Sequence, residues 1–263
     1  LASDERVSLL SYLGLAEGAW KLRAKLPPKT TFILHEISTS PVIVMDDCDV
    51  YEVREALLKS CFFRTRQNNG SVQLIFAHTS IATNLSTQLA MKVAGLRVGN
   101  PLSENTQIGP LINTAHTNRI HEYVLEAIQE GGQLLTGGER LAETIYAPTV
   151  IFNPPKTCKL MQENAFGPVA LIIPWFKMED IIEQTNLLAK AYRVSLFTRN
   201  IEKAFSVSQN VQAPILIIND VSFSSNSSRP LHKKYHSEFE GIEVRQQMEK
   251  LTVKKYTYFK NNY

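Results

Sequence analysis

The feature that most constrains this chain is a regular alternation of short apolar runs with longer amphipathic stretches. The runs at residues 32–34, 42–45, 72–77, 149–152, 169–174, 194–198 and 215–219 read as strands. The stretches at 17–26, 50–64, 80–93, 115–130, 178–188 and 201–210 carry the three-to-four spacing of helices. Strands separated by helices join most readily in parallel, through right-handed crossovers. The expected fold is therefore α/β, with a mostly parallel twisted sheet flanked by helices. Within 115–130, Ile120, Val124, Leu125 and Ile128 mark one buried face. Gly131-Gly132 ends that helix, and Gly137-Gly138 marks the turn beyond it. Residues 251–259 alternate well enough for a last strand, and the serine-rich stretch 222–228 reads as a flexible loop.

Composition narrows the function classes. At 263 residues and 44% hydrophobic content the chain can bury one large core or two small ones. A net charge of +3 with no block of like charges gives no case for nucleic acid or membrane partners. No apolar run approaches the roughly 18 residues of a membrane span. Cys48, Cys61 and Cys158 form no CxxC, which fits a reducing intracellular compartment, cytoplasmic or an organelle matrix, better than a disulfide scaffold. The three Asn-x-Ser sequons, at Asn69, Asn84 and Asn226, read as chance in such a chain. The start, Leu-Ala-Ser-Asp-Glu, has no Met and no targeting signal. It reads as a trimmed chain or as part of something longer.

Several motifs occur in a characteristic order. Phe62-Phe63-Arg64-Thr65-Arg66-Gln67-Asn68-Asn69 precedes a strand ending in His78. Val98-Gly99-Asn100-Pro101-Leu102 is followed by Ile108-Gly109-Pro110-Leu111-Ile112. Gly137-Gly138-Glu139-Arg140, Tyr146-Ala147-Pro148-Thr149-Val150, Glu163-Asn164-Ala165-Phe166-Gly167-Pro168-Val169, Leu196-Phe197-Thr198-Arg199 and Ile218-Asn219-Asp220 come after. Together they resemble the catalytic domain of the aldehyde dehydrogenase superfamily. The likeness implies three parts: a remnant of the Rossmann-like cofactor domain at 1–33, a catalytic domain at 34–250 and a C-terminal oligomerisation strand and tail at 251–263. Most of the cofactor domain has no counterpart in this sequence.

The resemblance also implies which residues should carry chemistry, and these are the ones altered. The nucleophile slot, a cysteine in the family, holds Asn69, whose carboxamide cannot form a thiohemiacetal. Arg66 stands where the loop has a glycine. Cys61, earlier on the same helix, is the alternative thiol, but a buried structural cysteine is its expected role. The general-base slot holds His35, 34 residues before Asn69, with Glu36 one residue out of phase and so on the other strand face. His35 could act as a base near neutral pH, but it has no nucleophile to activate. Ile37 and Ser38 replace glycines that let backbone approach a nicotinamide. Leu15 stands at the pyrophosphate-binding serine and Asn164 at the ribose-binding glutamate, while Phe166 is kept. The eroded C-terminal glycine motif leaves His232, Lys233, Lys234 and His236. The two histidines suit a metal only with a third ligand, and a solvated basic loop is the competing reading.

The expectation is thus a truncated, catalytically inactive relative with a structural or interaction role. No cofactor is expected, and NAD(P) if any. It would form a homo-oligomer, or join a larger assembly, through 17–26 and 251–259. Trp20, Leu22 and Leu26 with Arg23 and Lys25 give the first segment a mixed face. An unpaired strand at 251–259 would be a liability that pairing removes, although Lys254 and Lys255 could instead block it. The alternative is an NAD(P)-dependent aldehyde oxidoreductase fragment, active only when a partner chain supplies the cofactor domain. Arg66 is expected near His35, with Glu36 and Glu163 the nearest acids. It should either reach solvent or pair with a carboxylate.

Overall fold

A computed structural model of the chain describes residues 2–14, 16–36, 39–68, 70–188, 193–221, 248–249, 251–252 and 255–258; for 16, 17, 35 and 36 it describes backbone only. Leu15, Asn69, the 222–228 loop, His232 and His236 with the lysines between them lie outside the described residues. The chain divides into two compact units. One comprises Leu1–Ile37 with Ser224–Tyr263, the other Ser38–Phe223.

In the smaller unit, β1 (Leu9–Gly14) and β2 (Thr31–Glu36) pair in parallel, joined by α1 (Ala16–Arg23). Sequence periodicity alone overlooks β1, because Leu-Leu-Ser-Tyr-Leu-Gly neither alternates strictly nor forms a continuous apolar run, whereas the family resemblance implies a strand and a helix within 9–26, where β1 and α1 lie. The expected strand at 251–259 is not formed by its described members. Leu251 lies at the end of a helical turn and residues 255–258 are irregular, with Tyr256 72% and Tyr258 90% exposed. An alternating segment needs a neighbouring strand to satisfy its backbone, and the described residues provide none for it.

The larger unit holds a seven-stranded sheet in the order β5 (Gln133–Thr136), β6 (Thr149–Phe152), β7 (Val169–Trp175), β4 (Leu74–His78), β3 (Val42–Val44), β8 (Arg193–Phe197) and β9 (Ile215–Ile218). Every pairing is parallel except that of β5 with β6. The twofold alternation of strand side chains builds two cores. On one face, Val42, Val44, Ile75 and Ala77 meet Val53, Leu57 and Cys61 of α2 (Val50–Phe62) and Leu85 and Leu89 of α3 (Thr79–Ala94). On the other, Ile43, Phe76, Leu171 and Leu196 meet Ile120, Val124 and Ala127 of α4 (Thr114–Gln129). A short α5 (Lys159–Gln162) follows, and α6 (Met178–Leu187) and α7 (Ile201–Asn210) add Ile181, Ala204 and Val207 to that second core. The buried face of α4 differs from expectation at one residue. Leu125 is 39% exposed, and Thr117, Tyr123 and Ala127 are buried in the stripe with Ile120 and Val124. Residues 123 and 124 flank the line through Ile120 and Ala127, whereas 125 lies roughly 150° around the helix from that line and faces away from the sheet. No described helix is long and apolar enough to cross a membrane.

Candidate functional site

Helix α2 stops at Phe62, and the chain turns through a 3-10 segment, Phe63–Arg66. Arg64, Thr65 and Arg66 all take left-handed backbone angles, with φ of 51°, 55° and 55°. Each such residue costs roughly 1–2 kcal/mol, and a β-branched threonine is least suited of all. Side chains offset the strain. Thr65 Oγ1 accepts from Gly109 N at 3.0 Å and donates to Gly109 O at 3.2 Å. Gln67 Nε2 donates to Pro110 O at 3.0 Å, so the turn is pinned to the Gly-Pro motif on two sides.

Arg66 is 1% exposed. Its Nε donates to Val72 O at 2.9 Å, Nη2 to Asn164 Oδ1 at 2.8 Å and Nη1 to Gly167 O at 3.5 Å. This corrects the sequence expectation, since Arg66 neither reaches solvent nor pairs with a carboxylate. Glu163 instead accepts from the Tyr123 hydroxyl at 2.8 Å. The reason is geometric. The left-handed turn aims the guanidinium inward, where backbone carbonyls and an amide supply neutral acceptors. Burial lowers its pKa to about 10, which still leaves it charged near neutral pH.

The residues that receive Arg66 are themselves held. Gln73, 1% exposed at the entry to β4, donates from Nε2 to the carbonyls of Leu160 and Glu163 and accepts from Ala165 N at 3.0 Å. Asn164 Oδ1 also accepts from Phe166 N at 3.2 Å. Phe166 has φ 48°. His116 restrains its carbonyl through Nε2, 2.9 Å away, while Nδ1 accepts from Arg119 at 3.1 Å. A carbonyl only accepts and a guanidinium only donates, so this imidazole is the neutral Nε2–H tautomer. Burial, with Arg119 beside it, lowers its pKa. Gln73 is the important residue that motif reading passes over. The available signal was a lone glutamine in an apolar strand buried on both faces, where a polar group must find partners.

Of the remaining expected site residues, only Cys61, whose thiol feels the Arg66 charge, has a described side chain. His35 lies in β2 with its backbone opposite Leu13, and Glu36 opposite Gly14; their side chains, like Asn69 and Leu15, are outside the described residues. Cys61 is fully buried in the helical core, and burial pushes its thiol up to about 12. Burial, with Asp47 beside it, does the same to half-buried Cys48. Among the described residues no cluster of His, Cys, Asp and Glu could hold a metal ion.

Residues 1–257 match the aldehyde dehydrogenase family. The chain is 31% identical over 222 residues to 3-sulfolactaldehyde dehydrogenase of Priestia aryabhattai, covering 84% of this chain and 46% of that protein. It is 30% identical over 227 residues to lactaldehyde dehydrogenase of Methanocaldococcus jannaschii, covering 86% and 48%. It thus spans about half the length of these relatives. Among solved structures it is similar to glyceraldehyde-3-phosphate dehydrogenase of Methanocaldococcus jannaschii complexed with NADP, at TM-score 0.85 and 29% identity over 95% of this chain and 54% of that one. Aldehyde dehydrogenase 21 of Physcomitrella patens, in complex with the reaction product succinate, gives TM-score 0.81 and 27% identity over 94% and 51%.

Proposed function

The chain belongs to the aldehyde dehydrogenase family, and on that premise we propose that it is a catalytically silent member with a structural or interaction role. The observation that carries this reading is the Arg66–Asn164 hydrogen bond. By resemblance, these two residues stand at a glycine of the nucleophile loop and at the ribose-binding acid. Here they engage each other. The fit to NAD(P), the cofactor the family implies, is weakened, because Asn164 Oδ1 is committed to Arg66 and Phe166 and only the amide Nδ2 of that side chain can donate to a ribose hydroxyl. The nucleophile slot, Asn69, has no thiol. Cys61 cannot substitute, since at pH 7 a thiol with a pKa near 12 is ionised in roughly one molecule in 10⁵.

The expected result is no NAD(P)H formation with a broad aldehyde panel and no hydrolysis of an activated ester. Asn69→Cys alone should leave both at background. Turnover by the wild-type chain that is lost in Cys61→Ser would overturn the proposal. A second reading draws on the chain spanning about half of its relatives. It would be an oxidoreductase fragment that needs a partner chain for the cofactor domain. Purification from the native source followed by NADP⁺ titration separates the two, and saturable binding by a co-purified complex favours the fragment.

The interaction role rests on apolar exposure. Trp20 on α1 is 60% exposed, and Leu251, Tyr256 and Tyr258 are exposed as well. We assign segments 17–26 and 251–259 to contacts with a second copy or a larger assembly, in a reducing compartment that suits three free thiols. Light scattering should give at least twice the chain mass at micromolar concentration, and Trp20→Lys should lower it. A monomer at every concentration rules out self-association.

A further inference from the structure

The segments that carry the acceptors around Arg66 are also held by partners other than Arg66. Gln73 holds the backbone of Leu160, Glu163 and Ala165, and Phe166 N holds Asn164 Oδ1. Val72 is fixed by its N–H, which donates to Ser60 O at 3.3 Å. Val72 O, Asn164 Oδ1 and Gly167 O then converge on one buried cation with no carboxylate among its partners. Three acceptors, one for each nitrogen of the guanidinium, suit a fork-shaped donor and not a compact ammonium. We propose that these three oxygens form a preformed receptor for a planar cation of the guanidinium or amidinium class, and that Arg66 is its resident occupant. Through it, Arg66 ties the left-handed turn at 63–66 to the segment 160–167. The strain of that turn and the burial of the charge are both sustained by occupancy of the receptor. A vacated receptor keeps its shape, because Gln73 and the backbone hold its walls, so a small guanidinium from solution can enter. This inference stands apart from the proposed loss of catalysis, and either can fail alone.

Arg66→Gly tests it, since glycine suits the backbone at φ 55°. The variant should melt about 5–10 °C below wild type. Amide exchange at Ala165 and Phe166 should be about tenfold faster. Methylguanidinium at about 20 mM, far below the molar range in which guanidinium denatures, should recover roughly half of each loss. Ethylammonium should recover neither, wild type should not respond, and Arg66→Gly with Asn164→Leu should not be rescued. Absence of rescue, equal rescue by ethylammonium, or an equal gain by wild type overturns the proposal. If Arg66→Gly does not fold, Arg66→Lys supplies the reading. It keeps the charge without the fork and should show faster exchange at Phe166, whereas wild-type protection there contradicts a fork-specific receptor.

Discussion

Replacing Gln73 with leucine should cost about 3–5 kcal/mol of stability, although leucine is apolar, similar in volume and placed in an apolar strand. The loss comes from what glutamine leaves behind. The Leu160 carbonyl and the Ala165 amide would be buried without their side-chain partner, and the partly buried Glu163 carbonyl would lose its own. A buried, unsatisfied polar group costs roughly 1–3 kcal/mol. Two such groups and a third in part exceed what the added apolar contact returns. The segment that positions Asn164 should also lose exchange protection ahead of the sheet. A urea-unfolding difference below about 1 kcal/mol would mean that the segment finds other partners, and Gln73 would no longer explain its order.

Arg66→Ala should destabilise by about 2–4 kcal/mol, combining a cavity with three stranded acceptors against the relief of a buried charge. Arg66→Met, which refills most of the volume, should cost less. Arg66→Gly should be more stable than Arg66→Ala by about 1 kcal/mol, because only the backbone cost at φ 55° differs in its favour. Equal stability of the glycine and alanine variants would show that the left-handed turn is not strained at residue 66.

How far the sequence led depends on what each feature needs. The parallel sheet was legible because 42–45, 149–152 and 215–219 are apolar runs short enough to be only strands, and α7 was legible to the residue. The final strand was not, since alternation at 251–259 records a propensity that only a neighbouring strand can realise. Leu125 falls outside the buried stripe because it lies on the far side of the helix from Ile120 and Ala127, an angle that a run of apolar residues in the chain conceals. At the candidate site, position was readable and partnership was not. The sequence marks Arg66 as standing at a glycine position of the loop, yet carbonyl acceptors have no sequence signature. Only three consecutive left-handed residues bring the guanidinium to Val72, Asn164 and Gly167. Gln73 went unnoticed for the same reason, as all its partners are main chain.

Arg66 and Asn164 are bound to each other, and the bond withdraws the Asn164 carbonyl oxygen from any ligand. A double-mutant cycle measures this most directly. Urea unfolding of wild type, Arg66→Met, Asn164→Leu and the double variant should yield a coupling of about 1.5–3 kcal/mol, the range for a buried hydrogen bond to a charged group. Additive losses, with a coupling within about 0.5 kcal/mol of zero, would contradict the claim and return Asn164 to the set of residues open to a cofactor.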